Sequence, residues 1–208
     1  MSFEIWLLYL GATIGLSLTP GPNGLLALSH GASHGVRRST ATIAGGVFGF
    51  VILMAISMAG MGALLLASEQ AFFIAKIIGA LYLVYLGIKT WRAPPPHVEA
   101  QNPENTKPAK ALFSQGLFVA LSNPKVIIFF AAFLPQFIDP QQPQLLQFAI
   151  LAVTFAVTEF LVELILSASA NRMIPWLSRG NVGKWFNRST GSLFIVMGGF
   201  LAAVNRNV

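Results

Sequence analysis

The sequence predicts an all-α integral membrane protein with six transmembrane helices, arranged as two inverted three-helix repeats, with helices 1 and 4 broken at proline motifs. Three observations carry that prediction. The 208 residues are 55% hydrophobic and 10% charged, with a mean hydropathy of +0.69, too apolar for a soluble domain. Six apolar runs approach the length of about 17 to 25 residues that a bilayer core requires: near 5–28, 41–67, 71–90, 113–135, 146–169 and 189–205. Two of these runs, the first and the fourth, are interrupted by polar knots centred on proline, TPGPN at Thr19–Asn23 and SNPK at Ser122–Lys125.

Span one carries Glu4 rather than basic residues ahead of a long apolar run, so it reads as a mature helix and not as a cleaved leader. Its proline knot removes backbone donors and frees carbonyls, which lipid would penalise, so the break faces protein or water. Thr19 before Pro20 is a capping residue where a half-helix is expected to begin, and Gly21, Pro22 and Asn23 complete the knot. Span two contains Gly45 and Gly49 in GxxxG spacing. This lets another backbone approach, either within the same chain, the favoured reading, or from a homodimer partner. In span three, Lys76 lies near one end, where its side chain can snorkel or serve as a charge partner.

The segment from Trp91, with APPPHVEAQNPENTKPAK, is proline-rich and polar and cannot bury a core. The chain is therefore one transmembrane domain, 1–208: a first repeat over 1–90, a linker over 91–112 and a second repeat over 113–208. Three crossings per repeat is an odd number, so the second repeat enters the bilayer inverted. Span four repeats the broken design with Asn123 capping a half-helix that starts at Pro124. Lys125 follows, too deep to reach either interface. Span five places Glu159 and Glu163 one turn apart on a face that continues through Ala152, Ala156, Ser167 and Ala170. A small, polar stripe of this kind points into a bundle, where a carboxyl group is suited to taking up and releasing protons or to pairing with Lys125 or Lys76. Span six is rich in glycine, with Gly191, Gly198 and Gly199.

Ten of the thirteen basic residues fall in the loops after spans one, three and five, whereas Glu4, Glu69 and Asp139 mark the opposite side. The positive-inside bias places these loops in the cytoplasm and both termini outside. It also accounts for the net charge of +6 without nucleic acid as a partner. Trp6, Trp91, Trp176 and Trp185 fall at span ends or in loops, as headgroup anchors do. His30 and His34 read as solvated residues of the first basic loop, without a role.

Broken helices at corresponding places in two halves point to a transporter binding site in the lipid bilayer. With no cysteine, no HExxH and no Ser–His pairing at membrane depth, an intramembrane enzyme or thiol carrier is disfavoured. No cofactor or metal site is expected. The alternative is an exporter of metal or other small ions, which the neighbouring Lys125 opposes electrostatically. A passive channel differs in showing no accumulation against a gradient.

The segments TPGPN, HGASHGVRRSTATIAGGVFGF, GALYLVYLGIKTWR and LSNPKVIIFFAAFLPQFI, in this order, resemble the LysE/RhtB family of amino-acid exporters. PQFIDPQQPQLLQF and the span-six pattern are most similar to its homoserine and homoserine-lactone branch. The resemblance implies a bacterial inner-membrane protein that exports amino acids or close derivatives, such as homoserine, homoserine lactone or threonine, by proton antiport. On that expectation the half-helix N-termini at Pro20–Asn23 and Asn123–Lys125 hold the substrate carboxylate, or a carbonyl in lactones. Glu159 holds its ammonium, helped by carbonyls near Ser17 and Leu18, and Glu159 and Glu163 carry protons.

Overall fold

Helix boundaries follow from the local chemistry of the sequence. In the computed structural model, which describes residues 1–19, 21–67, 69–94, 107–139, 141–177 and 181–203, the order is α1 (Phe3–Leu18), α2 (Pro22–His34), α3 (Val36–Ala67), α4 (Glu69–Arg92), α5 (Ala109–Leu121), α6 (Pro124–Phe133), a 3-10 turn at Leu134–Phe137, α7 (Gln144–Ala168), α8 (Ala170–Leu177) and α9 (Val182–Ala203). No strand occurs among the described residues. Ser2 opens α1 by accepting from the Ile5 amide, and Gly35, at φ 75°, closes α2 in the backbone region that glycine enters without strain.

Each proline knot separates two helices. The pairs α1–α2 and α5–α6 are both bent by 57° at their breaks. Val36–Gly60 and Gln144–Ala168 are each long and apolar enough to cross a membrane, and each bent pair adds one more candidate if it forms a single span. The chain is therefore an all-α protein with two to four candidate membrane spans among its described residues.

Helix directions are read from side-by-side residues. Tyr9 faces Leu151, Ser17 faces Glu159 and Gly24 faces Leu166, each pair 142 residues apart, so α1 and α2 run parallel to α7. Gly45 lies on Phe113, Gly116 on Thr42 and Gly46, and Gly49 on Leu117 and Ala120, so α3 and α5 are also parallel. Gly198 meets Ala80 and Val84 whereas Gly191 meets Gly87 and Trp91, so α4 and α9 are antiparallel. A β-carbon at Gly45 or Gly116 would overlap the backbone of the facing helix. Such contacts suit a membrane bundle, where close backbone approach and dispersion replace the hydrophobic effect. The Gly45–Gly49 face is thus used within the chain.

The aromatic core lies on one side of the two breaks. Phe130 packs edge-on against Phe155 with ring centroids 4.9 Å apart, Phe129 stacks on Phe133 at 5.1 Å, and Tyr9 meets Phe137 edge-on at 5.1 Å. Tyr9, Phe50, Phe129, Phe130 and Phe155 are fully buried. The Tyr9 hydroxyl donates to the Leu151 carbonyl, so this layer offers few free polar atoms. On the other side of the breaks, toward Arg37 and Arg38 in the first turn of α3, the buried polar side chains Ser39, Thr42, His30, Glu163 and Ser167 lie among apolar ones such as Leu28 and Ala170.

Candidate binding site at the paired helix breaks

The site is assembled from the two interruptions. At the second, Asn123 caps α6 by accepting from the Lys125 amide at 3.1 Å, with Pro124 in the first helical turn. At the first, the helix begins one proline later than the sequence suggested: Gly21 is the N-cap and Pro22 starts α2. Thr19 instead ends α1, and its hydroxyl donates back to the Gly15 carbonyl at 2.8 Å. The expectation that Thr19 caps the second half-helix is thereby corrected. Two prolines offered two possible starts, and the hydroxyl satisfies a carbonyl at the end of α1. Pro20 lies outside the described residues.

The two breaks are bonded to each other. Asn123 Nδ2 donates to Asn23 Oδ1 at 3.2 Å, and Asn23 Nδ2 reaches the Gly116 carbonyl at 3.5 Å. Lys125 Nζ crosses between them to the carbonyls of Leu16, at 3.2 Å, and Thr19, at 3.1 Å. A cation therefore closes the C-terminal end of α1, where the helix dipole favours positive charge. Lys125 thus takes the carbonyls on either side of Ser17 and Leu18. A β-carbon at Gly21 would stand 2.9 Å from the Lys125 ammonium, so glycine leaves room for this crossing. The N-terminus of α2 receives no side-chain cap, which leaves amide donors available to an anion.

Glu159 and Glu163 project from α7 into this layer and are 6% and 2% exposed. Glu159 faces Ser17, and Lys125 lies within electrostatic range of both carboxyl groups. Glu163 sits beside Gly46, close to Asn23 Nδ2. One oxygen of each acid, Glu159 Oε2 and Glu163 Oε1, is buried without a hydrogen-bond partner, as are the hydroxyls of Thr13 and Ser17. Buried polar atoms are ordinarily paired, so this group has unused bonding capacity in a protected place. Lys76 falls within α4, but its side chain lies outside the described residues.

The predicted residues Thr19, Gly21, Asn23, Asn123, Lys125, Glu159 and Glu163 thus meet around the breaks. The histidines differ from expectation. His30 is not in a solvated loop: α2 continues to His34, and His30 is 0% exposed with Nδ1 2.6 Å from the Thr42 hydroxyl. The sequence predicts an end to span one near residue 28, yet α2 runs on through Gly31 and stops at Gly35. Among the described residues, no three His, Cys, Asp or Glu side chains gather as a metal site.

Comparison with known proteins now identifies the family. Residues 14–204 match the LysE type translocator family. The chain belongs to the LysE type translocators. Among these translocators, it is 39% identical over 203 residues to the homoserine/homoserine lactone efflux protein of Salmonella typhi, covering 98% of each chain. It is 31% identical over 201 residues to a leucine efflux protein of Klebsiella pneumoniae, covering 96% of this chain and 95% of the relative. An uncharacterized membrane protein of Vibrio cholerae is 34% identical over 202 residues. No solved structure matches the chain.

Proposed function

We propose that this translocator exports small amino acids or close derivatives, of the homoserine, homoserine lactone or threonine class, across the bacterial inner membrane in exchange for protons. The observation that carries the reading is the opposed chemistry at the breaks. The amides of α2 and the Lys125–Asn123 pair share one buried layer with the carboxyl groups of Glu159 and Glu163, each of which keeps one oxygen without a partner. This chemistry matches a zwitterion, with its carboxylate toward the half-helix N-termini at Gly21–Asn23 and Asn123–Lys125 and its ammonium toward Glu159. The names of the efflux relatives support this substrate class.

Coupling follows if Glu159 accepts either a proton or the substrate ammonium, because one buried carboxylate does not serve both cations at once. Lys125 must then leave the Leu16 and Thr19 carbonyls as substrate arrives. Six spans in two inverted repeats, with both termini outside, suit the same reading. Parallel α1–α7, parallel α3–α5 and antiparallel α4–α9 are the directions such a repeat requires. The two parallel pairs also exchange places when the halves are swapped. Metal export is opposed by Lys125, which lies within electrostatic range of both carboxyl groups.

The test is mass spectrometry of the medium after loading cells with mixed amino acids, comparing the intact protein with Glu159→Gln. Release of homoserine or a related compound by the intact protein, lost in the variant at equal membrane abundance, is expected. Identical media from correctly inserted proteins would overturn the reading.

A further inference from the structure

The buried polar groups do not end at Glu163. Thr42 lies one turn before Gly46 on α3, and Gly46 is the residue against which Glu163 and Asn23 pack. Thr42 in turn holds the Nδ1 of His30 at 2.6 Å. The other ring nitrogen, Nε2, is buried without a partner although the residue is 0% exposed. One turn further along α2, the His34 ring lies 5.2 Å from that of His30, centroid to centroid, with both of its nitrogens buried and unpartnered. The chain becomes exposed immediately afterwards, at Gly35–Arg38. Beside this line, the hydroxyls of Ser39 and Ser167 share a hydrogen bond.

We propose that His30 is a proton-relay residue that connects Glu163 to the end of the bundle bearing Arg37 and Arg38, with Thr42 positioning its ring and His34 as the next acceptor. The inference rests on the proton-exchange reading above. The steps from Glu159 to Glu163, from the Gly46 level to Thr42, and from His30 to His34 each correspond to about one helical turn, ~5.4 Å. In the relay, the O–H bond of protonated Glu163 breaks and an N–H bond forms on His30, by way of the Thr42 hydroxyl. The N–H bond on the opposite side of the ring then breaks, and the proton passes to His34. The imidazole ends neutral, and Glu163 is left as a carboxylate, ready for the next proton from Glu159. Imidazole suits this task because its two nitrogens accept and donate on opposite edges.

The charged and titratable groups around His30 are His34 on its own helix and Lys107 from the segment before α5, with Arg38 facing His34 from α3. Lys107 is also bonded to Gln115 at 3.3 Å. On α7, Glu163 lies one layer deeper. Against α8, helix α2 packs through Leu28, with Ala170, Met173 and Ile174 as apolar neighbours. The cations of Lys107 and Arg38 repel a proton held on either ring and so favour its onward release.

The experiment compares two activities of the purified full chain in liposomes: homoserine–homoserine exchange, which needs no net proton movement, and homoserine transport driven by a pH gradient, with proton flux followed by an internal dye. His30→Asn is expected to keep exchange and to lose gradient-driven transport and proton flux by about 100-fold, the lower range for a positioned acid–base group. Thr42→Val is expected to reproduce the split more weakly. Unchanged gradient-driven transport in His30→Asn would overturn the relay, as would equal loss of both activities in a variant of unchanged melting temperature. Failure of the wild-type protein to exchange any amino acid would instead remove the transport reading beneath it.

Discussion

Asn123 donates its side-chain amide to Asn23 Oδ1 at 3.2 Å, joining two helix breaks that lie 100 residues apart in sequence. Both residues are at least 95% buried. Neither amide can turn to water when its partner is removed. The bond therefore sets the spacing of the two half-helix N-termini.

Asn123→Ala is expected to lower stability by about 1–3 kcal/mol, because it removes the cap of α6 and leaves Asn23 Oδ1 buried and unpaired. At ~2–4 °C per kcal/mol for a chain of this size, the melting temperature in detergent should fall by several degrees. Asn123→Asp keeps the acceptor for the Lys125 amide and should recover part of the loss. Equal melting temperatures for Ala and wild type would contradict this account.

Lys125→Met leaves the Leu16 and Thr19 carbonyls without their shared donor. Amino-acid efflux should fall to background while the protein still inserts. Gly21→Ala places a methyl group where the ammonium now crosses. The long lysine side chain can shift, so a raised KM with retained folding is expected. Transport assays over a substrate series distinguish the two.

Gly116→Val tests the α3–α5 contact. A β-carbon there meets the Thr42 carbonyl, backbone that cannot move aside, so folded protein should be largely lost on size-exclusion chromatography. Gly11→Ala and Gly60→Ala, whose β-carbons meet nothing within 4 Å, should elute as the wild type does.

Glu159→Gln and Glu163→Gln should separate substrate binding from proton transfer. Glu159 faces Ser17 at the break, so its variant should lose both substrate affinity and the dependence of efflux on external pH. Glu163 lies by Gly46, one turn away, and its variant should bind homoserine while losing only the pH dependence. Isothermal titration paired with efflux at two external pH values gives both readouts.

Much of the site was legible because the deciding chemistry is local. Asn-Pro-Lys at 123–125 specifies cap, first helical turn and a half-buried cation within three adjacent residues, and α6 begins as that pattern requires. Glu159, Glu163 and Ser167 share a face by spacing alone, and all three are buried. Thr19 misled because two prolines, at 20 and 22, each allow a helix start, and only tertiary packing selects between them. His30 was missed for a different reason. Its environment is supplied by Thr42, on the next helix beyond the Gly35 turn, and a histidine in a Gly- and Ser-rich stretch carries no periodic signal that α2 continues. The destination of the Lys125 ammonium also depends on a long-range contact, with carbonyls more than 100 residues earlier.

The layer formed by Phe129, Phe130, Phe133, Phe155 and Tyr9 has a further consequence as an electrical insulator. Its rings interlock over the side of the breaks opposite the polar histidines. With the Tyr9 hydroxyl turned onto backbone, it offers a hydrated ion almost nothing in exchange for its water. Dispersion contacts between rings are individually weak and re-form after each separation, so such a seal can part and close repeatedly with the Tyr9–Leu151 hydrogen bond as its one named specific bond. Such a layer would let the proposed proton path from Glu159 to His34 operate on the polar side without short-circuiting the membrane voltage.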